Sequence, residues 1–197
     1  MAWSRRSIVS GGIGAALLLP MAVGAAGRQT PSAIPVSTGD RSAWLIDGAE
    51  LSVSRHRSDL RIVAVMTNDV FMKGHIPGAT AIDWPALELG TTTEAAIAEW
   101  TDQMREVVTS LGIDPASGVV LYDEGTLFAA RLWWLLDYLG HDSKRILDGG
   151  LPAWQSMDQP ISRDASATPG AAIGTMPRAP VRTEVLAPLA DVEAALG

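Results

Sequence analysis

Val119-Val120-Leu121-Tyr122-Asp123-Glu124-Gly125-Thr126-Leu127-Phe128-Ala129-Ala130-Arg131 decides the fold. The run from Val119 to Tyr122 is apolar and mostly β-branched or aromatic. Such a run, bounded by turn residues, suits a parallel strand covered on both faces. Asp123 stands where that strand ends. Gly125 permits a positive φ, and Thr126 can cap the helix that follows. Successive backbone N–H groups would then point into the loop, at the positive end of a helix dipole, which is an anion-binding geometry. Open α/β sheets bind ligands at the carboxyl ends of their strands. The candidate active-site loop is therefore Asp123, Glu124, Gly125, Thr126, Leu127 and Phe128. The residue at its head is an aspartate.

The chain around this loop has 197 residues, enough for one α/β domain with a real core and appendages. Its formal net charge is -7, and no basic run extends beyond Arg5-Arg6. Nucleic-acid binding needs a basic footprint, so that class is excluded. The sequence has no cysteine, which rules out disulfides, thiolate metal sites and cysteine nucleophiles within it. The three histidines are scattered and form no His-x-x-x-His pair. No metal site and no cofactor are expected.

The amino-terminal residues 1–26 read as a targeting segment. Ser4-Arg5-Arg6-Ser7-Ile8 precedes an uncharged Ala/Gly/Leu stretch and the small residues Gly24-Ala25-Ala26. That order resembles a twin-arginine export signal, and the expected location is the bacterial periplasm. Left uncleaved, the segment would be the chain's only membrane contact. Residues 27–35 read as a spacer. A helix is expected over 40–51, with Asp40 as N-cap and Trp44, Leu45 and Ala49 as its stripe. Leu60 to Met66 is a core strand, 70–79 a loop and 80–84 a short strand. A long amphipathic helix covers 94–111, presenting Trp100, Met104 and Val108 on one side. Residues 127–139 form a helix apolar nearly all round. Its neighbours Trp133 and Trp134 point about 100° apart, so they meet different partners, both expected in the core. Arg145-Ile146-Leu147 is a strand ending at Asp148-Gly149-Gly150, and Pro152 suits the first turn of the next helix. Residues 162–180, rich in Ala, Pro, Gly, Ser and Thr, read as a linker. Order then resumes, strand-like over 181–185 and helical over 189–196. Val36-Ser37-Thr38 and Val181-Arg182-Thr183 look like two starts of one unit, about 145 residues apart.

Three stretches in series resemble the rhodanese family of sulfurtransferases. They are Gly74-His75-Ile76-Pro77-Gly78-Ala79; Val119 to Asp123 with Ala130-Arg131-Leu132-Trp133-Trp134 and Gly140-His141; and Leu147-Asp148-Gly149-Gly150-Leu151-Pro152-Ala153-Trp154. The resemblance covers residues 36–161. It implies an α/β fold, a three-layer α/β/α rhodanese-like domain with a mainly parallel five-stranded sheet. Active members place a persulfide-carrying cysteine after the central strand, where this sequence has Asp123. The resemblance is to the first half of tandem sulfurtransferases acting on thiosulfate or 3-mercaptopyruvate, a half that carries Asp at this position and Trp-Trp in the next helix. It implies a partner, a second rhodanese domain bearing the cysteine, of which 181–197 would be the truncated start. A small sulfur-containing anion is the implied ligand. One departure is Ala64-Val65-Met66, where the family usually ends its first core strand with an acidic residue and an arginine.

A thiolate can hold a second sulfur and a carboxylate cannot. Asp123 is therefore expected to cap the helix and pair with a cation such as Arg131, and no residue is assigned as catalytic. His75 is expected to fix its loop by a hydrogen bond, and Asp148 to make a turn with Gly149 and Gly150. Gly74, Pro77, Gly78 and Trp154 complete the set read as structural. Two alternatives stay open. The chain could be a stand-alone pseudoenzyme that binds a partner or small anion. Leu121-Tyr122-Asp123-Glu124-Gly125-Thr126-Leu127 also resembles the phosphoaspartate loop of haloacid dehalogenase-like phosphatases, although Gly125 stands where those need a second acid.

Overall fold

The computed structural model describes residues 41–165, 176, 180–186 and 189–196. The expected signal segment, the spacer, Val36-Ser37-Thr38 and Asp40 lie outside these residues, as does most of the 162–180 linker.

Strand β4 (Gly118–Tyr122) lies at the centre of a five-stranded sheet. Its neighbours are β2 (Leu60–Val65) and β5 (Lys144–Leu147), and β3 (Thr80–Ile82) and β1 (Leu45–Ile46) form the edges. The order is β1-β5-β4-β2-β3, and every pairing is parallel. The β2–β4 register sets Leu60 opposite Gly118 and Ala64 opposite Tyr122. Period-two alternation sends side chains to opposite faces, so both faces must be covered. Val63, Val65, Val119 and Leu121 enter one core with Trp100, Met104 and Val108 of α3 (Glu94–Ser110) and Leu132, Leu135 and Leu136 of α4 (Phe128–Tyr138). Ile62, Ala64, Val120 and Tyr122 enter the other. There they meet Leu51 of α1 (Gly48–Ser54), Phe71 of α2 (Asn68–Lys73), and Leu151 and Trp154 of α5 (Gly150–Ser156). The result is the three-layer α/β/α arrangement.

Trp133 and Trp134 do take different partners. Trp133 meets Trp44 edge-on and lies under the Lys144 ammonium, whereas Trp134 stacks on Tyr138 beside Trp100.

Three local readings are corrected. Residues 40–51 are not one helix. Arg41–Ala43 is a single 3₁₀ turn, Leu45–Ile46 joins the sheet, and α1 starts at Gly48. Sheet pairing wins because Trp44 O and Ile46 O accept from Ile146 N and Asp148 N. The true cap is Asp47, whose Oδ1 accepts from Glu50 N at 2.7 Å. Trp44, counted into the apolar stripe, is 59% exposed. The expected loop over 70–79 begins as helix α2, anchored by fully buried Phe71 and ended at Gly74. Residues 181–185 are not a strand. Thr183–Val185 is a 3₁₀ turn, and Arg182 N donates to Tyr138 O instead of to a sheet ladder. Residues 189–196 form helix α6 (Leu189–Leu196). The start of the expected linker is also held, since Ser162 pairs with His75 in an antiparallel bridge and Arg163 Nε donates to Lys73 O.

Candidate functional site

The buried end of β4 delivers Asp123 to the mouth of the sheet, where only 5% of its surface is exposed. Its backbone oxygen accepts from Leu151 N at 2.8 Å. Its side chain takes the loop's own donors. Oδ1 accepts from Gly125 N at 2.9 Å and Thr126 N at 3.1 Å, and Oδ2 accepts from Ala129 N at 3.0 Å. The carboxylate thus sits at the amino terminus of α4, where orphan N–H groups and the helix dipole favour an anion. Gly125 takes φ 96°, which turns the chain back over the carboxylate.

Thr126 is not the helix cap. Leu127 occupies the cap position with no side-chain bond, and Thr126 Oγ1 only accepts from Phe128 N at 3.4 Å. Asp123 has already satisfied the donors that a cap would serve. Nor does Arg131 pair with Asp123. Its Nη2 donates to Leu87 O at 3.2 Å, on the exposed side of α4. Glu124 is exposed, and Leu127 is 84% exposed. Phe128 lies flat on Trp84, with centroids 4.8 Å apart.

A pocket of about 320 Å³ opens beside Asp123. One wall is Asp123, Gly125, Thr126, Leu127, Ala129 and Ala130. Leu45, Ile146, Leu147, Asp148, Gly149 and Gly150 form the other. Asp148 is exposed, and its N–H donates to Ile46 O. Gly149 and Gly150 take φ 72° and 57°. A Cβ on Gly150 would lie 2.6 Å from Asp123 O, so the close approach of the two loops demands glycine there.

His75 stands behind this loop rather than in the pocket. It is buried, its ring stacks on Phe71 with centroids 3.7 Å apart, and its Nδ1–H donates to Phe71 O at 3.0 Å. Its backbone exchanges two bonds with Ser162, both at 2.9 Å. Gly74 ends α2, Pro77 sits in the turn closed by Ala79 N and Ile76 O, and Gly78 has φ 85°. Trp154 is fully buried under α5, its Nε1–H donating to Pro160 O at 2.9 Å. The structure therefore brings Asp123, Gly125 and Thr126 together with Asp148, Gly149 and Gly150. His75, Arg131 and Trp154 lie outside that group.

Sequence reasoning missed Tyr122. Its buried hydroxyl accepts from Ile76 N at 3.1 Å and so ties the Gly-His-Ile-Pro turn to the strand end beside Asp123. Burial pushes its phenol well above the usual value of 10.0, against the opposing effect of the Ile76 N–H, which favours the phenolate. The available signal was the alternation of β4, which buries Tyr122 and obliges its hydroxyl to find a partner. Among the described residues, no group of three or more His, Asp or Glu side chains could hold a metal ion.

The Rhodanese-like domain family matches residues 48–157. This chain belongs to the rhodanese family. It is 33% identical over 127 residues to a thiosulfate sulfurtransferase of Azotobacter vinelandii, covering 64% of this chain and 47% of that protein. It is 34% identical over 100 residues to the 3-mercaptopyruvate sulfurtransferase of Escherichia coli K12, covering 50% of this chain and 36% of that one. The crystal structure of SseA, a 3-mercaptopyruvate sulfotransferase from Escherichia coli, superposes with a TM-score of 0.58 at 26% identity, covering 68% of this chain and 56% of SseA. The chain spans about half or less of the length of these curated relatives.

Proposed function

We propose that this rhodanese domain carries no sulfur itself and serves as the non-catalytic partner of a cysteine-bearing rhodanese domain. The observation that supports this reading is the filled cradle. The loop N–H groups that would stabilise a persulfide anion are already spent on the Asp123 carboxylate. A carboxylate has no lone sulfur to donate and forms no persulfide. By analogy with the named relatives, the donor acted on by the complete arrangement is thiosulfate or 3-mercaptopyruvate.

The test is cyanide-dependent thiocyanate formation by the purified 197-residue chain with either donor. No turnover and no persulfide adduct by mass spectrometry are expected. Robust turnover would overturn the reading. Asp123→Cys should give weak turnover at most, because a complete cleft needs the second domain. Strong turnover by that variant would favour the pseudoenzyme alternative, a whole substrate site lacking one atom.

Export by the twin-arginine route is part of the same proposal, resting on Arg5-Arg6 ahead of an uncharged stretch. Replacing both arginines with lysine should abolish processing and periplasmic yield in fractionated cells. Unchanged yield would exclude that route.

A further inference from the structure

The carboxyl end of α4 carries a charge cluster that no role above explains. Tyr138 O, in the last turn of α4, accepts from Arg182 N at 2.9 Å. This satisfies one of the carbonyls that a helix end leaves without a partner. The Arg182 guanidinium then forks, with Nη1 on Asp137 Oδ1 at 2.8 Å and Nη2 on Asp142 Oδ1. A cation here complements the negative end of the helix dipole. The flanking apolar residues join in, as Val181, Val185 and Leu186 pack against the α3–α4 core. Met176, further back, is buried in that core, and its N–H donates to Thr109 Oγ1 at 3.3 Å.

Asp137 Oδ1 also accepts from Lys144 Nζ at 2.7 Å, and that ammonium donates to His141 O at 2.7 Å as well. The Lys144 side chain is only 4% exposed. Asp137 therefore keeps its buried cation whether Arg182 is present or not. Asp142 is exposed and returns to water at little cost. Releasing Arg182 strands no buried charge, so the fork can open while the domain stays folded.

We propose that Arg182 is a detachable latch, pinning residues 181–186 to the carboxyl end of α4. The latch is ionic at its head and apolar at its flanks. It does not depend on the function proposed above, because none of its residues touches the Asp123 loop.

Hydrogen exchange of the full chain followed by mass spectrometry tests it. At low salt the amides of 181–186 should be protected. Arg182→Ala should raise their exchange about tenfold while the amides of β4 stay unchanged. Arg182→Lys, which keeps the charge and loses the fork, should fall between. Raising sodium chloride to about 1 M should move the wild-type segment toward the alanine variant, since exposed pairs are screened. The last measurement needs no variant to fold. Unchanged exchange at 181–186 in Arg182→Ala would overturn the latch, since the apolar flanks and the backbone bond to Tyr138 O would then suffice to hold the segment. An equal rise across β4 would overturn it too, because Arg182 would then support the whole domain.

Discussion

The two ends of α4 are closed in opposite ways. At the amino end one buried anion, Asp123, takes three N–H groups from within its own loop. At the carboxyl end two cations share Asp137, and one of them arrives from 45 residues away. Both ends obey the helix dipole. They differ in what they need. The first is built from consecutive residues and forms with the strand and helix it joins. The second is assembled from separate elements and has an exposed half. A self-contained closure needs no other element to keep the loop's donors satisfied. An assembled one can open without unfolding anything.

The sharpest way to break this comparison is to empty the amino end. Asp123→Ala leaves Gly125 N, Thr126 N and Ala129 N without their acceptor. Water reaches the first two, in an exposed stretch, but Ala129 is buried. The expected loss is about 3 kcal/mol in urea unfolding, the sum of a lost cap and a stranded donor. A loss below about 0.5 kcal/mol would mean that water fills the cradle freely and that Asp123 is not its closure.

At the other end, Asp137→Asn keeps the shape and removes the charge that Lys144 needs. The Lys144 ammonium stays near the Trp133 face, 4.5 Å from its centroid, and keeps His141 O. Those contacts offset part of the deficit, so the expected cost is about 2 kcal/mol, below the range for a fully buried pair. A double-mutant cycle with Arg182→Ala should show coupling smaller than the Asp137→Asn effect itself. Coupling equal to that effect would mean that Asp137 exists for Arg182 and not for Lys144, and the two-tier view of this end would fall.

The amino end was legible in the sequence and the carboxyl end was not. A run of apolar residues, an acid, a glycine and an apolar helix are adjacent, so local pattern alone places the loop. Two residues could cap the helix, Thr126 and Asp123, and the Asp123 carboxylate takes the donors. Its expected pairing with Arg131 fails, because sequence does not show which way a long side chain turns. Arg182 shows no sequence signal, since its partners lie on α4 and in the loop before β5. The same limit explains the misread start of the domain. Trp44 and Leu45 fit a helical stripe, but the partner that makes Leu45–Ile46 a strand is β5, a hundred residues on. The reading of 70–79 failed for a local reason. Gly74, Pro77 and Gly78 dominate the stretch and hide the short helix anchored by Phe71 just before them.

The smallest effect concerns Tyr122, and it separates the two ends by how they fail. Its hydroxyl accepts from the buried Ile76 N–H, so Tyr122→Phe strands one donor and should cost about 1 kcal/mol at neutral pH. The alkaline limb carries more information. The folded phenol titrates above its ordinary value of 10.0 because burial disfavours the phenolate. An unfolded chain therefore releases this proton first. Below pH 10 both states hold the proton and Tyr122 contributes its full stabilisation. As pH rises past 10, the unfolded state is favoured progressively, until the folded phenol ionises as well. Wild-type urea midpoints should fall more steeply above pH 10 than those of Tyr122→Phe, so that the two curves converge. Added salt should not reproduce that convergence, because no ion pair is involved. Parallel curves would show that other groups set the alkaline limb and that the Tyr122 hydroxyl is not held in a dry site beside Asp123.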